Sequence, residues 1–95
     1  MIARKDYKVL GGKLIRVELE TDAGIVRRAA VKGDFFAHPE EAFERAEAGL
    51  VGLRIDELHS SARRLFGEGP LAIFGATPED IAFALEGAAR EAQGH

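Results

Sequence analysis

The segment Gly11-Gly12-Lys13, preceded by Lys8, has the spacing most suggestive of chemistry in this chain. Two glycines let a backbone approach a ligand closely, and the adjoining lysine supplies a mobile point charge suited to phosphate. The Gly-x4-Gly-Lys-Ser/Thr spacing of a phosphate loop leading into a helix is absent. A plain hairpin turn followed by a solvated lysine explains the same residues, so both readings stand at this point. Gly33-Asp34-Phe35-Phe36 is the second unusual stretch. Successive side chains of an extended segment face opposite sides, so one phenylalanine plugs the core while the other lines a groove or interface. Absorption of both rings where strand turns into helix is the alternative.

The remaining polar residues make a poor catalytic set. His38, His59 and His95 are dispersed, and His59 stands one helical turn from Asp56, a spacing at which surface pairs form incidentally. Ser60 and Ser61 have no Ser–His–acid arrangement, and Glu40, Glu44 and Glu47 read as a solvated helix face. The chain has no cysteine, which excludes disulfides, thiolate metal sites, iron–sulfur ligation and cysteine nucleophiles. No catalytic residue and no metal set is assigned to the chain acting alone.

The elements that must position these residues fall into two halves. Ile15, Val17 and Leu19 alternate with Arg16, Glu18 and Glu20, the period-2 pattern of a strand with one buried face. Asp22-Ala23-Gly24 turns the chain into a second strand at about Ile25–Lys32, whose inward face the pattern leaves undecided. Ala3–Leu10, with Tyr7 and Val9 on one side, is a further strand, joined to the next through Gly11-Gly12. Helical signals follow. Pro39 fits a first helical position ahead of Glu40 and Glu41, and Ala42, Phe43, Ala46 and Leu50 form an apolar stripe. Asp56 is placed to cap a second helix carrying Leu58, Ala62, Leu65 and Phe66 on one face. Leu71–Phe74 reads equally as a buried loop or a brief strand. Thr77-Pro78-Glu79-Asp80 is the clearest helix start, with Ile81, Ala84, Leu85 and Ala88 facing inward behind it. Strands first and helices afterwards predict an α+β fold, an antiparallel sheet of about three strands with helices on one face.

Ninety-five residues and 10.3 kDa suit a single domain spanning residues 1–95. Apolar runs are short, so no membrane span or signal-peptide core is expected, and the simplest placement is cytoplasmic. The net charge of −3 hides an uneven distribution. Residues 1–33 carry eight Lys/Arg against four acids, a net +4, and residues 34–95 carry five against twelve, a net −7. A basic first third suits local contact with phosphate or an acidic surface, though solvated strand faces produce the same imbalance. The pI of about 5.6 argues against general nucleic-acid binding.

Taken in order, Lys8-x-x-Gly11-Gly12-Lys13, the alternating strand pair, Gly33-Asp34-Phe35-Phe36, the Pro-Glu-Glu helix ending in Leu50-Val51-Gly52, and Thr77-Pro78-Glu79-Asp80 form a recognisable series. It resembles the C-terminal accessory domain of lipoate–protein ligases, in the form some archaea and bacteria encode as a separate small subunit. The resemblance runs from about Lys8 to Ala89. The family often has proline before the glycine turn, where this chain has Leu10.

The resemblance implies a SufE/IscU-like α+β scaffold, without any persulfide or iron–sulfur role given the absence of cysteine. It implies an accessory subunit that binds no cofactor alone and works in a complex using Mg-ATP and lipoate to form lipoyl-adenylate. Its partner would be the catalytic subunit of a lipoate–protein ligase and, indirectly, lipoyl-acceptor domains or the glycine cleavage H protein. On this expectation Lys13, presented by Gly11 and Gly12 with Lys8 nearby, assists at the ATP phosphates. Asp34, Phe35, Phe36 and Arg16 are the expected partner interface. The contrasting expectation is a non-catalytic SufE/IscU-like scaffold or protein-interaction module unrelated to lipoylation.

Overall fold

The computed structural model describes residues 1–9, 11 and 13–92. Leu10, Gly12 and His95, each singled out above, lie outside them. Three strands, β1 (Ile2–Lys8), β2 (Leu14–Asp22) and β3 (Ile25–Gly33), form an antiparallel meander with β2 in the centre. The alternation in β2 does what its period dictates: Ile15, Val17 and Leu19 are fully buried, while Arg16 lies on the opposite, open face. Each such burial contributes about 1.5–3 kcal/mol relative to exposure.

The inward face of β3 resisted reading because a bulge interrupts its register. Glu20 pairs with Arg28 but Thr21 pairs with Val26, leaving Arg27 without an opposite number. One extra residue reverses the side-chain parity. Val26 and Val31, five residues apart, are therefore both buried.

Three helices, α1 (Glu40–Ala48), α2 (Leu58–Gly67) and α3 (Pro78–Ala92), complete the core. Helix α3 lies across β1 and β2 and against α2, burying Ile81, Leu85 and a run of alanines that lets it sit close to the sheet. Its start is a reciprocal cap. The Asp80 N–H donates to Thr77 Oγ1 at 3.1 Å, and the Thr77 N–H donates to the Asp80 carboxylate at 3.0 Å. Gly87 faces the stem of Lys5, whose ammonium reaches Glu91 at 3.8 Å. The α+β class, with helices packed against an antiparallel three-stranded sheet, stands as the sequence predicts.

Several local expectations are corrected. Pro39 precedes α1 with extended backbone instead of occupying its first turn. Asp56 caps nothing: it pairs with Arg54 at 2.9 Å inside a short 3-10 turn, Ile55–Glu57, that leads into α2. That turn is held to the sheet, since the Ile55 N–H donates to the Gly24 carbonyl and Ile25 bridges to Arg54. Glu47 is half-buried instead of standing free on a solvated face, and its carboxylate accepts the Val31 N–H at 2.7 Å. The undecided run Leu71–Phe74 contains a strand, β5 (Ala72–Phe74), which pairs antiparallel with β4 (Phe36–His38) as a separate two-stranded ribbon. Among the described residues no helix is long and apolar enough to cross a membrane.

Candidate functional site

The glycine-rich segment joins β1 to β2. Lys8 is the last residue of β1, opposite Leu14, and the Val9 N–H donates to the Lys13 carbonyl at 2.7 Å, closing the hairpin. Gly11 has φ of +101°, a backbone conformation that residues with a Cβ rarely adopt. Lys8 and Lys13 are both exposed.

The hairpin and the Gly-Asp-Phe-Phe segment, 20 residues apart in sequence, meet in space. The Asp34 N–H donates to the Leu14 carbonyl at 2.9 Å, one residue beyond Lys13. The approach depends on Gly33, where a Cβ would lie 2.2 Å from that same carbonyl oxygen. Two of the predicted clusters thus share one end of the sheet.

The two aromatics separate as the alternation of an extended chain requires. Phe35 is half-buried, with its ring 5.7 Å from that of Phe43, which stands 5.3 Å from buried Phe66. Phe36 is 81% exposed. Between them lies a groove of about 390 Å³, floored by Phe35 and Phe43 and bordered by Lys32, Phe36, Glu40 and Glu44.

The open face of the sheet is charged. Asp6, Arg16 and Lys32 form one cross-strand row, and Arg4, Glu18 and Ala30 form the next. Arg16 pairs with Asp6 at 3.0 Å, and Glu18 is held between Arg4 and Arg28. Hydrogen bonding from Arg4 and its nearby positive charge, reinforced by Arg28, keep the Glu18 carboxyl below the usual glutamate range against a smaller opposing effect of burial. Among the described residues, Lys8, Lys13 and Lys32 have no carboxylate within 4.0 Å, so their charge remains available.

Arg16 belongs to this open face instead of the Phe36 ribbon, so the expected interface set divides into two patches meeting at Asp34. Sequence reading missed Lys32, hidden by the β3 bulge, and Phe74, hidden in the undecided run. The spacing of His59 from Asp56, read as incidental, also gave no sign of its contacts on α3. His59 bridges α2 to α3, with Nε2 2.9 Å from Glu79 and Nδ1 3.1 Å from Glu86. Among the described residues no group of three or more histidines and carboxylates is placed to hold a metal.

The fold and hairpin define a small α+β domain presenting exposed cations on one end of its sheet. No protein-family model matches the chain, and no curated protein does. Among solved structures it is similar to a chain from an archaeal lipoylation system of Thermoplasma acidophilum, described as a bipartite lipoate protein ligase and its E2 lipoyl domain. Identity is 33%, the TM-score is 0.77, and the match covers 90% of this chain and 94% of that one. Over that extent and identity, the chain belongs to the same family as this lipoylation-system component.

Proposed function

We propose that the chain is the accessory subunit of a two-part lipoate–protein ligase, binding a catalytic subunit and supporting ATP-dependent adenylation of lipoate. The observation that carries this reading is the hairpin at which Lys13 stands exposed and, among the described residues, without a carboxylate partner, abutting Gly33-Asp34. Its likeness to a chain of the archaeal lipoylation system supports the same reading.

In the adenylation step the lipoate carboxylate attacks the α-phosphorus of ATP. The bond to the bridging oxygen breaks, and pyrophosphate departs with its negative charge. An ammonium placed near the leaving phosphates offsets that charge as it develops. Lys13 is the group for this role, with Lys8 and Lys32 adding to the local positive potential. Lipoyl transfer to an acceptor domain follows on the catalytic subunit.

The test mixes the purified chain with the catalytic subunit of a lipoate ligase from the same organism, lipoate, Mg-ATP and a lipoyl-acceptor domain. Lipoyl-adenylate formation and acceptor lipoylation are expected only when both subunits are present. Equal activity without the chain would favour the unrelated interaction module. A lipoyl adduct on the chain itself, read by mass spectrometry, would make it an acceptor and overturn the accessory reading.

A further inference from the structure

Phe36 and Phe74 are direct partners across the β4–β5 ribbon, 81% and 62% exposed. Directly opposed residues of an antiparallel pair project from the same face, so the two rings form one apolar patch. The next pair, Ala37 and Ile73, turns inward, and Ile73 packs against the core. The ribbon is therefore amphipathic, with its aromatic face turned outward. Paired exposed aromatics are efficient binding anchors, because they contribute large contact area with few rotatable bonds.

The border of the patch is acidic. Glu40 and Glu44 line the groove beside Phe36, and exposed Asp34 precedes it, whereas Lys32 is the one cation among the described residues lining that groove. We propose that this ribbon is the surface that seats the catalytic subunit, with Phe36 and Phe74 entering an apolar recess rimmed by arginine or lysine. The proposal rests on the accessory-subunit reading and deepens it. Charge selects this occupant over two others. A two-fold contact with a second copy would bring both acidic borders together, and like charges across an interface are costly. Anionic lipid headgroups would meet the same carboxylates. The ribbon is also continuous, through Asp34 and Leu14, with the hairpin, so a partner seated here has Lys13 at its edge.

The experiment measures affinity between the full chain and the catalytic subunit by calorimetry. Phe36→Ser and Phe74→Ser are each expected to weaken binding about tenfold, and the double variant about a hundredfold. Glu40→Lys with Glu44→Lys is expected to weaken it about fivefold, an effect reduced by salt. Val51→Ser, which alters an exposed apolar residue away from the ribbon, should bind like the parent chain. All five residues are exposed, and unchanged circular dichroism melts would confirm that folding is intact. Parent-like affinity of the double phenylalanine variant would overturn this surface and leave the accessory reading standing. A parent chain that fails to bind the catalytic subunit would overturn both. A dimer of the parent chain in sedimentation, abolished by the double variant, would assign the ribbon to self-association and overturn the proposed occupant.

Discussion

The Glu47 carboxylate accepts the backbone N–H of Val31 at 2.7 Å, tying α1 to the outer edge of β3. Strand β3 has β2 on one side only, so alternate N–H groups along it point away from the ladder. Glu47 satisfies one of them where the packed helix limits access to water. The same helix borders the groove through Glu40 and Glu44, which stay exposed, so Glu47 alone of the three glutamates bonds to β3.

Glu47→Ala should lower unfolding free energy by about 1–2 kcal/mol, because it leaves a half-buried donor without its acceptor. Glu47→Gln keeps an acceptor oxygen and should recover most of that loss. Glu41→Ala, an exposed change on the same helix, should stay within about 0.5 kcal/mol of the parent. Urea unfolding of the three variants checks the order, and equal effects of Glu47→Ala and Glu41→Ala would contradict it.

Gly33→Ala should destabilise the domain by about 2 kcal/mol or more, since the new Cβ meets the Leu14 carbonyl oxygen at 2.2 Å. Relief requires the strands to part, which also breaks the bond from Asp34 to Leu14. A lower urea midpoint with an unchanged denaturant slope is the expected result. An unchanged midpoint would show that the close approach is not needed.

What could be read from the residues was whatever local chemistry determines. The alternation from Ile15 to Leu19 needs only a period, and the Thr77-Pro78-Glu79-Asp80 cap needs only four neighbours, so both emerged directly. The bulge at Arg27 is a property of two strands together, and it scrambled the phase that would have exposed Lys32. Phe74 was obscure for a related reason: three residues become a strand only because Phe36–His38 lies opposite. The partners of Glu47 and His59 stayed hidden because a helix wheel separates polar from apolar but does not show which polar side chain meets another element. The hairpin and the Gly-Asp-Phe-Phe segment were each visible, whereas their juxtaposition depends on the meander and on Gly33.

The Glu18 carboxyl, lowered by Arg4 and then Arg28, makes stability sensitive to acid. Its folded-state value lies below its unfolded one, so the favourable contribution is complete above the ordinary glutamate range. It disappears as pH falls through the depressed value. Glu18→Gln should therefore melt below the parent at pH 7, and the gap should narrow as the pH falls below the ordinary glutamate range. Because Arg4 and Arg28 are largely exposed, 1 M salt should narrow the gap at neutral pH as well. A gap that 1 M salt leaves unchanged at pH 7 and acid never narrows would remove ion pairing as its cause.

His59 stands between Glu79 and Glu86, joining α2 to α3 through both ring nitrogens. Replacing it with alanine removes both links and leaves two carboxylates on α3 facing a vacated position, so a loss of about 1 kcal/mol is expected. His59→Ala with Glu79→Gln should cost less than the sum of the single changes, because the pair shares one interaction. Strict additivity in a thermal-melt cycle would show that the bridge contributes nothing.

Lys13→Ala separates chemistry from docking at the hairpin. An ammonium that offsets charge on departing pyrophosphate acts chiefly in the transition state, so its loss should slow lipoyl-adenylate formation by about 10- to 100-fold. Affinity for the catalytic subunit should remain within about twofold of the parent. Lys13→Arg should retain part of the rate, because charge survives while the point-like geometry does not. Lys8→Ala and Lys32→Ala should give smaller decreases that shrink with added salt, as expected for groups acting through local potential. The controlling comparison is rate against affinity in the same Lys13→Ala protein. Slow adenylation with parent-like affinity places the ammonium at the phosphates. Normal adenylation removes it from the reaction, and a loss confined to affinity makes the hairpin a contact for an acidic surface of the catalytic subunit.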